Sequence, residues 1–179
     1  MRRLILAVSL VTATNAFAQA APVAVRPNGI DLELLGNGVL ASLNYDRLVA
    51  PTLVLRIGLS NWEIDGCFLC DVDENSKFTG VPISLAHLSG KGASHFELGG
   101  GLLVGTHTRT TDPGTPDETK ESSTIVDLTG IVGYRHQAPG GRFYWRLALT
   151  PFLSLTKGGE GAPVQGFTPS VGLSWGVRF

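Results

Sequence analysis

The chain has 179 residues, of which 43% are hydrophobic, and it contains 23 glycines, one methionine and two cysteines. Its formal net charge of −1 disfavours nucleic-acid binding, and two cysteines cannot form a disulfide framework. A domain of this length needs neither disulfides nor a metal to stabilise its core.

The N-terminal segment has the pattern of a secretory signal peptide. A basic start, Met1-Arg2-Arg3, precedes a short apolar run at residues 4–11, and small residues follow as far as Ala20. We therefore expect cleavage after Ala18 or Ala20 and assign residues 1–20 to the signal peptide. The remaining domain, residues 21–179, keeps 12 of the 14 basic residues against 15 acidic ones, a charge of about −3.

Segments of alternating polarity then follow along the chain and predict β-strands. In chain order they cover residues 30–35, 39–47, 53–60, 78–88, 95–107, 126–135, 143–149 and 170–179. Pro82 and Pro151 lack an amide donor, so we expect them near strand ends. No window after residue 20 is long and apolar enough for a membrane-spanning helix.

The connections between these segments alternate in length. Those at residues 47–51, 89–93 and 137–141 are short, whereas those at 61–77, 108–122 and 155–168 are long and polar. The first outer connection, Gly36-Asn37-Gly38, is the short exception. Short turns at one end and long loops at the other are typical of transmembrane barrels.

The polar face of the strands distinguishes a membrane barrel from a soluble one. It combines small residues with scattered charges, whereas Lys77, Lys91, Lys120 and Lys157 fall in predicted connections. This pattern suits a narrow barrel interior, with the apolar side chains facing lipid. Because eight strands leave room only for side chains, inward charges must pair and plug the lumen. The predicted lumen charge network comprises Glu97, Asp127, Arg135, Arg146 and Arg178.

Aromatic residues lie near both predicted ends of the strands, as interfacial girdles require. The predicted turn-end girdle comprises Tyr45, Tyr134, Phe143, Trp145, Trp175 and Phe179. The predicted loop-end girdle comprises Trp62, Phe78 and Phe152.

With its alternating last segment, the domain resembles the small outer-membrane β-barrel families of Gram-negative bacteria, which are porin-like or OmpA-like. The resemblance spans residues 21–179, and the phrases at residues 43–47 and 133–135 are in character with it. It implies a location in the outer membrane, contact with lipid, and an assembly signal read by the barrel-assembly machinery. The residues implied to carry that signal are Val171, Leu173, Trp175, Val177 and Phe179.

Motifs with possible chemistry have simpler explanations. Residues 172–176 match G-x-S-x-G, but no helix can follow them, as the nucleophile motif requires. Cys67 and Cys70 favour a local loop disulfide in an oxidising compartment; metal or redox roles are disfavoured, and free or intermolecular thiols stay open. The four histidines are scattered. We therefore predict no catalytic, cofactor-binding or metal-binding residues.

The sequence thus predicts an all-β, closed, antiparallel up-and-down transmembrane barrel of about eight strands. We expect a non-enzymatic role, either in envelope structure or in binding an extracellular ligand through the outer loops. The alternatives are a barrel enzyme acting on outer-membrane lipid and a secreted, lipocalin-like carrier. A conducting pore is a weaker variant because eight strands close around filled space.

Overall fold

A computed structural model describes residues 26–65, 74–156 and 166–179 of the chain. The predicted signal peptide, residues 1–20, and the two cysteines, Cys67 and Cys70, lie outside the described residues. The described part is almost entirely β-structure, apart from a short 3₁₀ turn at Gly36–Gly38. Its strands are β1 (Asn28–Leu35), β2 (Ala41–Ala50), β3 (Leu53–Asp65), β4 (Glu74–Lys91), β5 (Ser94–Thr111), β6 (Thr119–Gln137), β7 (Phe143–Leu149), β8 (Phe152–Ser154), β9 (Phe167–Thr168) and β10 (Val171–Arg178).

These segments form one closed antiparallel sheet. Successive strands from β1 to β7 pair with their neighbours in the chain, and β10 pairs with both β7 and β1. β7 and β8 are two parts of one barrel strand, separated by Thr150 and Pro151, and β9 and β10 are two parts of the next, separated by Pro169 and Ser170. β7 pairs with β10 and β8 pairs with β9, so the ten segments make eight barrel strands. The predicted eight-stranded up-and-down barrel is therefore confirmed.

The apolar side chains point outward and the charged ones point inward. Trp175 and Leu147 are 48% and 47% exposed, whereas Arg146 and Arg178 are 0% and 1% exposed. A soluble barrel would place the oily residues in a dry core and the arginines in water. The outer surface therefore has the polarity of a barrel immersed in lipid. Within the described ranges, no helix is long and apolar enough to cross a membrane.

Pro82 departs from its prediction because it lies in the middle of β4. The β3–β4 pairing is interrupted where Gly58 would face Pro82, yet the register is the same on both sides, with Ile57 opposite Ile83 and Ser60 opposite Gly80. A Cβ on Gly58 would lie only 2.9 Å from the proline ring. The absence of a side chain at Gly58 therefore allows Pro82 to lie within the paired part of β3 and β4. Pro151 does lie between two strand segments, as predicted.

Two of the predicted long loops are largely strands. β3 and β4 stay paired up to Asp65 opposite Asn75, and β5 and β6 stay paired up to Thr111 opposite Thr119. This correction extends the sheet beyond the apolar belt. We call the extended part the outer extension; it comprises residues 61–65, 74–79, 106–111 and 119–124. Lys77 and Lys120, which we predicted in connections, lie in these strands.

Candidate functional site: the lumen and the outer extension

The lower half of the lumen, nearer the short turns, contains a network of buried ion pairs, which we call the charge network. Arg56, on β3, donates from Nε to Asp46 Oδ1 at 2.6 Å and from Nη2 to Asp31 Oδ2 at 3.2 Å. Its Nη1 lies 3.8 Å from Glu33 Oε1. One arginine thus links three carboxylates from β1 and β2, because alternate residues of these neighbouring strands point to the same side.

Arginines of β6 and β7 extend the network across the barrel. Arg135 Nη2 donates to Asp46 Oδ2 at 2.7 Å and lies 3.5 Å from Glu97 Oε1. Arg146 Nη1 donates to Glu33 Oε1 at 2.6 Å, and its Nε donates to Glu97. These contacts join opposite walls of the barrel through side chains alone.

Tyr144 lies at the turn end of the network. Its hydroxyl donates to Asp31 Oδ2 at 2.7 Å and to Asp46 Oδ2 at 3.2 Å. The guanidinium groups of Arg135 and Arg178 lie over its ring, 4.7 Å and 5.3 Å from the ring centroid. The aromatic ring therefore contacts two cations while its hydroxyl contacts two anions.

The charge network is electrically balanced. Its cations and anions are equal in number and nearly all inaccessible to solvent: Arg56, Arg135, Arg146 and Arg178 against Asp31, Glu33, Asp46 and Glu97. Buried charges are tolerable when each has opposite partners and hydrogen bonds. Such an arrangement fills the lower lumen with charges that pair with one another.

Four of the predicted network residues, Glu97, Arg135, Arg146 and Arg178, are brought together, but Asp127 is not. Asp127 is fully buried, yet it lies further toward the loop end, opposite Leu103 on β5 and Ser154 on β8. Within the described part of the chain, neither of its carboxylate oxygens has a hydrogen-bond partner. Sequence alternation predicted its inward direction correctly but could not give its height in the barrel. Its assignment to the network is therefore corrected.

The upper lumen contains packed, buried apolar side chains, which we call the apolar cluster. It consists of Phe78, Leu103, Ile125 and Phe152, with Val39 and Trp62 packed against it. Phe78 and Phe152 were predicted to lie in an interfacial girdle, but they are 0% and 2% exposed. Both occupy inward positions of the alternation, so the predicted loop-end girdle is wrong for them. The cluster lies above the charge network, on its loop side.

The first outer connection folds into the lumen instead of projecting from it. Gly36, Asn37 and Gly38 are buried, and Asn37 Oδ1 accepts a hydrogen bond of 3.0 Å from Thr129 on the far wall. Gly36 has a φ of 73°, and a Cβ there would lie 2.6 Å from Glu33 Oε1. Only glycine allows this close approach. The short predicted connection is thus part of the filling of the barrel.

The predicted turn-end girdle points outward, as expected of an interfacial belt. Its exposed members are Tyr45, Tyr134, Phe143, Trp145, Trp175 and Phe179. Trp145 on β7 lies opposite Trp175 on the neighbouring strand β10. The ring centroids of Trp145 and Tyr134 are 5.3 Å apart. The outward row Val171, Leu173, Trp175 and Val177 lies on β10, which continues without a turn through the G-x-S-x-G match.

The outer extension contains a serine–histidine hydrogen bond. Ser76 Oγ lies 2.8 Å from Nε2 of His107, which is buried and lies directly opposite Phe78. This is the separation of a nucleophile and a base, but a cross-strand hydrogen bond also satisfies two polar groups within a sheet. His95 is buried near the turns, opposite Arg135.

The outward face of the outer extension is hydrophilic. Lys77 pairs with Glu63 at 3.4 Å, and two hydroxyl hydrogen bonds join Thr79 to Asn61 and Thr108 to Ser122. These contacts replace the apolar belt that covers the same strands lower down, where Val81, Ile83, Leu102 and Val104 are exposed. The change of polarity indicates where the lipid-facing surface ends.

The β5–β6 turn is ordered by one carboxylate. Glu118 Oε2 accepts a 2.8 Å hydrogen bond from the Gly114 N–H, and its Oε1 lies 2.7 Å from Lys120 Nζ. Both contacts favour the charged form, so the Gly114 amide and then the Lys120 ammonium hold the pKa of Glu118 below its ordinary value.

The closed sheet, oily exterior and filled interior define a small eight-stranded transmembrane β-barrel. The N-terminal β-barrel domain of Pseudomonas aeruginosa OprF is similar, with a TM-score of 0.53, 13% identity, and coverage of 86% of this chain and 98% of that one. The Yersinia pestis attachment invasion locus protein Ail gives a TM-score of 0.48 at 10% identity, covering 86% of this chain and 94% of that one. No family model and no curated protein matches the sequence. The likeness to OprF establishes a shared fold.

Proposed function

We propose that the protein is a non-enzymatic, non-conducting barrel of the bacterial outer membrane that presents the outer extension at the cell surface for binding a partner. The observation that carries this proposal is the continuation of β3 to β6 as a paired, hydrophilic sheet above an apolar belt. A purely structural barrel has no need of such a sheet. Surface-exposed, rigidly held segments are common binding elements.

The filled lumen supports the non-conducting part of the proposal. Ions would have to cross both the apolar cluster and the charge network, and the side chains of both are almost wholly buried. In planar bilayers the purified protein should therefore give no steady, large channels. Regular openings of that kind would contradict a permanently filled lumen.

Surface display can be tested with epitope insertions at the two ends of the barrel. Gly114 and Gly140 lie in turns at opposite ends, and both have open space beyond the Cα. An epitope after Gly114 should be stained by antibody on intact cells, whereas one after Gly140 should be stained only after permeabilisation. The reverse pattern, or fractionation of the untagged protein into buffer without detergent, would refute the proposal.

The proposal includes lipid contact through the outward apolar residues of all the barrel strands. The reading of Val171, Leu173, Trp175, Val177 and Phe179 by the assembly machinery stays a prediction. Replacing Trp175 by a charged residue should reduce the amount of assembled barrel, because the side chain is nearly half exposed on the apolar belt.

A further inference from the structure

The outer extension has a strand edge on the side of β3 that faces β2 lower in the barrel. Pairing between β2 and β3 ends where Leu43 lies opposite Leu59. From Asn61 to Asp65, the described residues that pair with β3 belong to β4 alone. The neighbouring β1–β2 connection is short and folds into the lumen, where Gly38 and Ala41 accept hydrogen bonds from Ser60. We call residues 61–65 the β3 edge.

The backbone of the β3 edge has hydrogen-bonding groups that no other described strand pairs with. The Leu88 N–H donates to the Thr52 carbonyl at 2.7 Å, which fixes the alternation of hydrogen bonds between β3 and β4. The register is the same on both sides of Pro82, so even-numbered residues of β3 bond to β4 throughout. The N–H and C=O groups of Asn61, Glu63 and Asp65 therefore point toward the open side. An open edge of this kind is a template for another strand.

Side chains of the β3 edge have different chemistry on the two faces of the sheet. Glu63 and Asp65 are exposed on the outward face and make that side acidic. On the other face, Trp62 is half-buried against the apolar cluster and Ile64 is 43% exposed. A strand pairing with this edge would therefore place alternate residues against carboxylates and against apolar side chains.

We propose that the β3 edge binds an extended peptide of another protein in which basic residues alternate with apolar residues. The peptide adds a strand to the sheet: its backbone pairs with Asn61, Glu63 and Asp65, and its apolar residues cover Ile64. This inference rests on the proposed function, since the edge must be accessible at the cell surface.

A second copy of the chain is a poorer occupant of the same edge. If the edges of two copies paired about Glu63, in either strand direction, this carboxylate would lie opposite its own counterpart. Like charges directly opposite each other destabilise strand pairing. A basic partner residue would instead share Glu63 with Lys77, whose ammonium lies on the β4 side of the carboxylate.

The test uses the full barrel in detergent or nanodiscs and fluorescent peptides of about seven residues, a length that covers the edge. One probe alternates lysine with valine, a second alternates glutamate with valine, and a third has the first composition in blocks. Fluorescence polarisation should show binding of the alternating lysine peptide. Glu63→Pro should weaken this binding about tenfold or more, because it removes the edge N–H but no hydrogen bond to β4.

Glu63→Lys keeps the backbone donor and should reverse the preference toward the glutamate peptide. Asp117→Lys makes the same charge change in the exposed β5–β6 turn and should leave binding unchanged. Retained binding in Glu63→Pro, or an unchanged preference in Glu63→Lys, would overturn the inference. So would self-association that Glu63→Pro abolishes, since a second copy would then be the occupant.

Failure of the edge can be separated from failure of the proposed function. If no peptide binds the native barrel while the Gly114 epitope is stained on intact cells, the edge proposal is wrong and surface display stands. If that epitope is not stained, the proposed function itself is wrong. Circular dichroism checks the folding of each variant, and binding is compared only among variants that form the β-barrel.

Discussion

Replacement of Asp46 by asparagine should be among the most damaging near-isosteric changes in the barrel. The Asp46 carboxylate accepts hydrogen bonds from Arg56 at 2.6 Å, Arg135 at 2.7 Å and Tyr144 at 3.2 Å, and it is fully buried. Asparagine has almost the same shape, but it leaves the network with one excess positive charge and turns an N–H₂ group toward guanidinium donors. Removing one partner from a buried ion-pair network costs about 3–5 kcal/mol.

The free energy of unfolding can be measured by urea titration in lipid bilayers, with tryptophan fluorescence as the signal. Asp65→Asn removes the same charge from an exposed position and should change this free energy by less than about 0.5 kcal/mol. Adding Arg135→Gln to Asp46→Asn restores neutrality, so the double variant should be more stable than the sum of the single losses by about 1 kcal/mol or more. A loss for Asp46→Asn as small as that of Asp65→Asn would refute the reasoning.

Three further outcomes test other layers of the barrel. Phe78→Ala should lower the free energy of unfolding by about 3–5 kcal/mol because it opens a cavity in the apolar cluster, whereas Val81→Ala, facing lipid, should cost much less. Gly101→Ala should lower the free energy of unfolding by about 1–3 kcal/mol, because the new Cβ would lie 2.0 Å from a backbone oxygen. Gly100→Ala should lower it less, because the nearest backbone oxygen is 3.0 Å away. Equal losses for the two variants would contradict the packing. NMR titration should place the pKa of Glu118 below its ordinary value of 4.5. The contacts of the Glu118 carboxylate in the turn should then be lost only as the pH falls through this lowered pKa. A measured pKa at or above 4.5 would contradict these contacts.

Direction of the side chains was predictable from sequence because a strand has a period of two. The alternation that put Trp175 outward and Arg178 inward also placed Phe78 and Phe152 inward. The girdle prediction failed for these two because it used their aromatic character and not their position in the inward–outward alternation of the strand. An apolar residue at an inward position is a signal for an apolar layer inside the barrel, and it was available in the sequence.

The position of an inward side chain along the barrel axis was not predictable in the same way. Whether an inward charge meets an opposite charge depends on the stagger between strands, which is set by the closed sheet as a whole. Asp46 lies opposite Arg56, but Asp127 lies opposite Leu103. Tyr144 was missed as a network member for a related reason: an inward tyrosine in sequence does not show which carboxylates its hydroxyl can reach.

The sequence did indicate that the outer strands are long, but we predicted loops there because the residues are polar. Thr106, Thr108 and Thr110 alternate through a segment that was predicted as loop from residue 108 onward. Threonine is β-branched and favours strands. Polar residues therefore marked the end of the lipid-facing surface and not the end of the sheet.

The filling of the lumen and the order of the outer extension are physically connected. Phe78 of the apolar cluster lies on β4 within the outer extension, and Ile125 lies on β6 directly below it. Trp62, at the base of the β3 edge, packs on Phe78 with ring centroids 5.4 Å apart. Since isolated hairpins are only marginally stable, the extension needs this anchor to stay paired. A cavity at Phe78 should therefore weaken peptide binding at the β3 edge, because Trp62 loses the ring against which it packs.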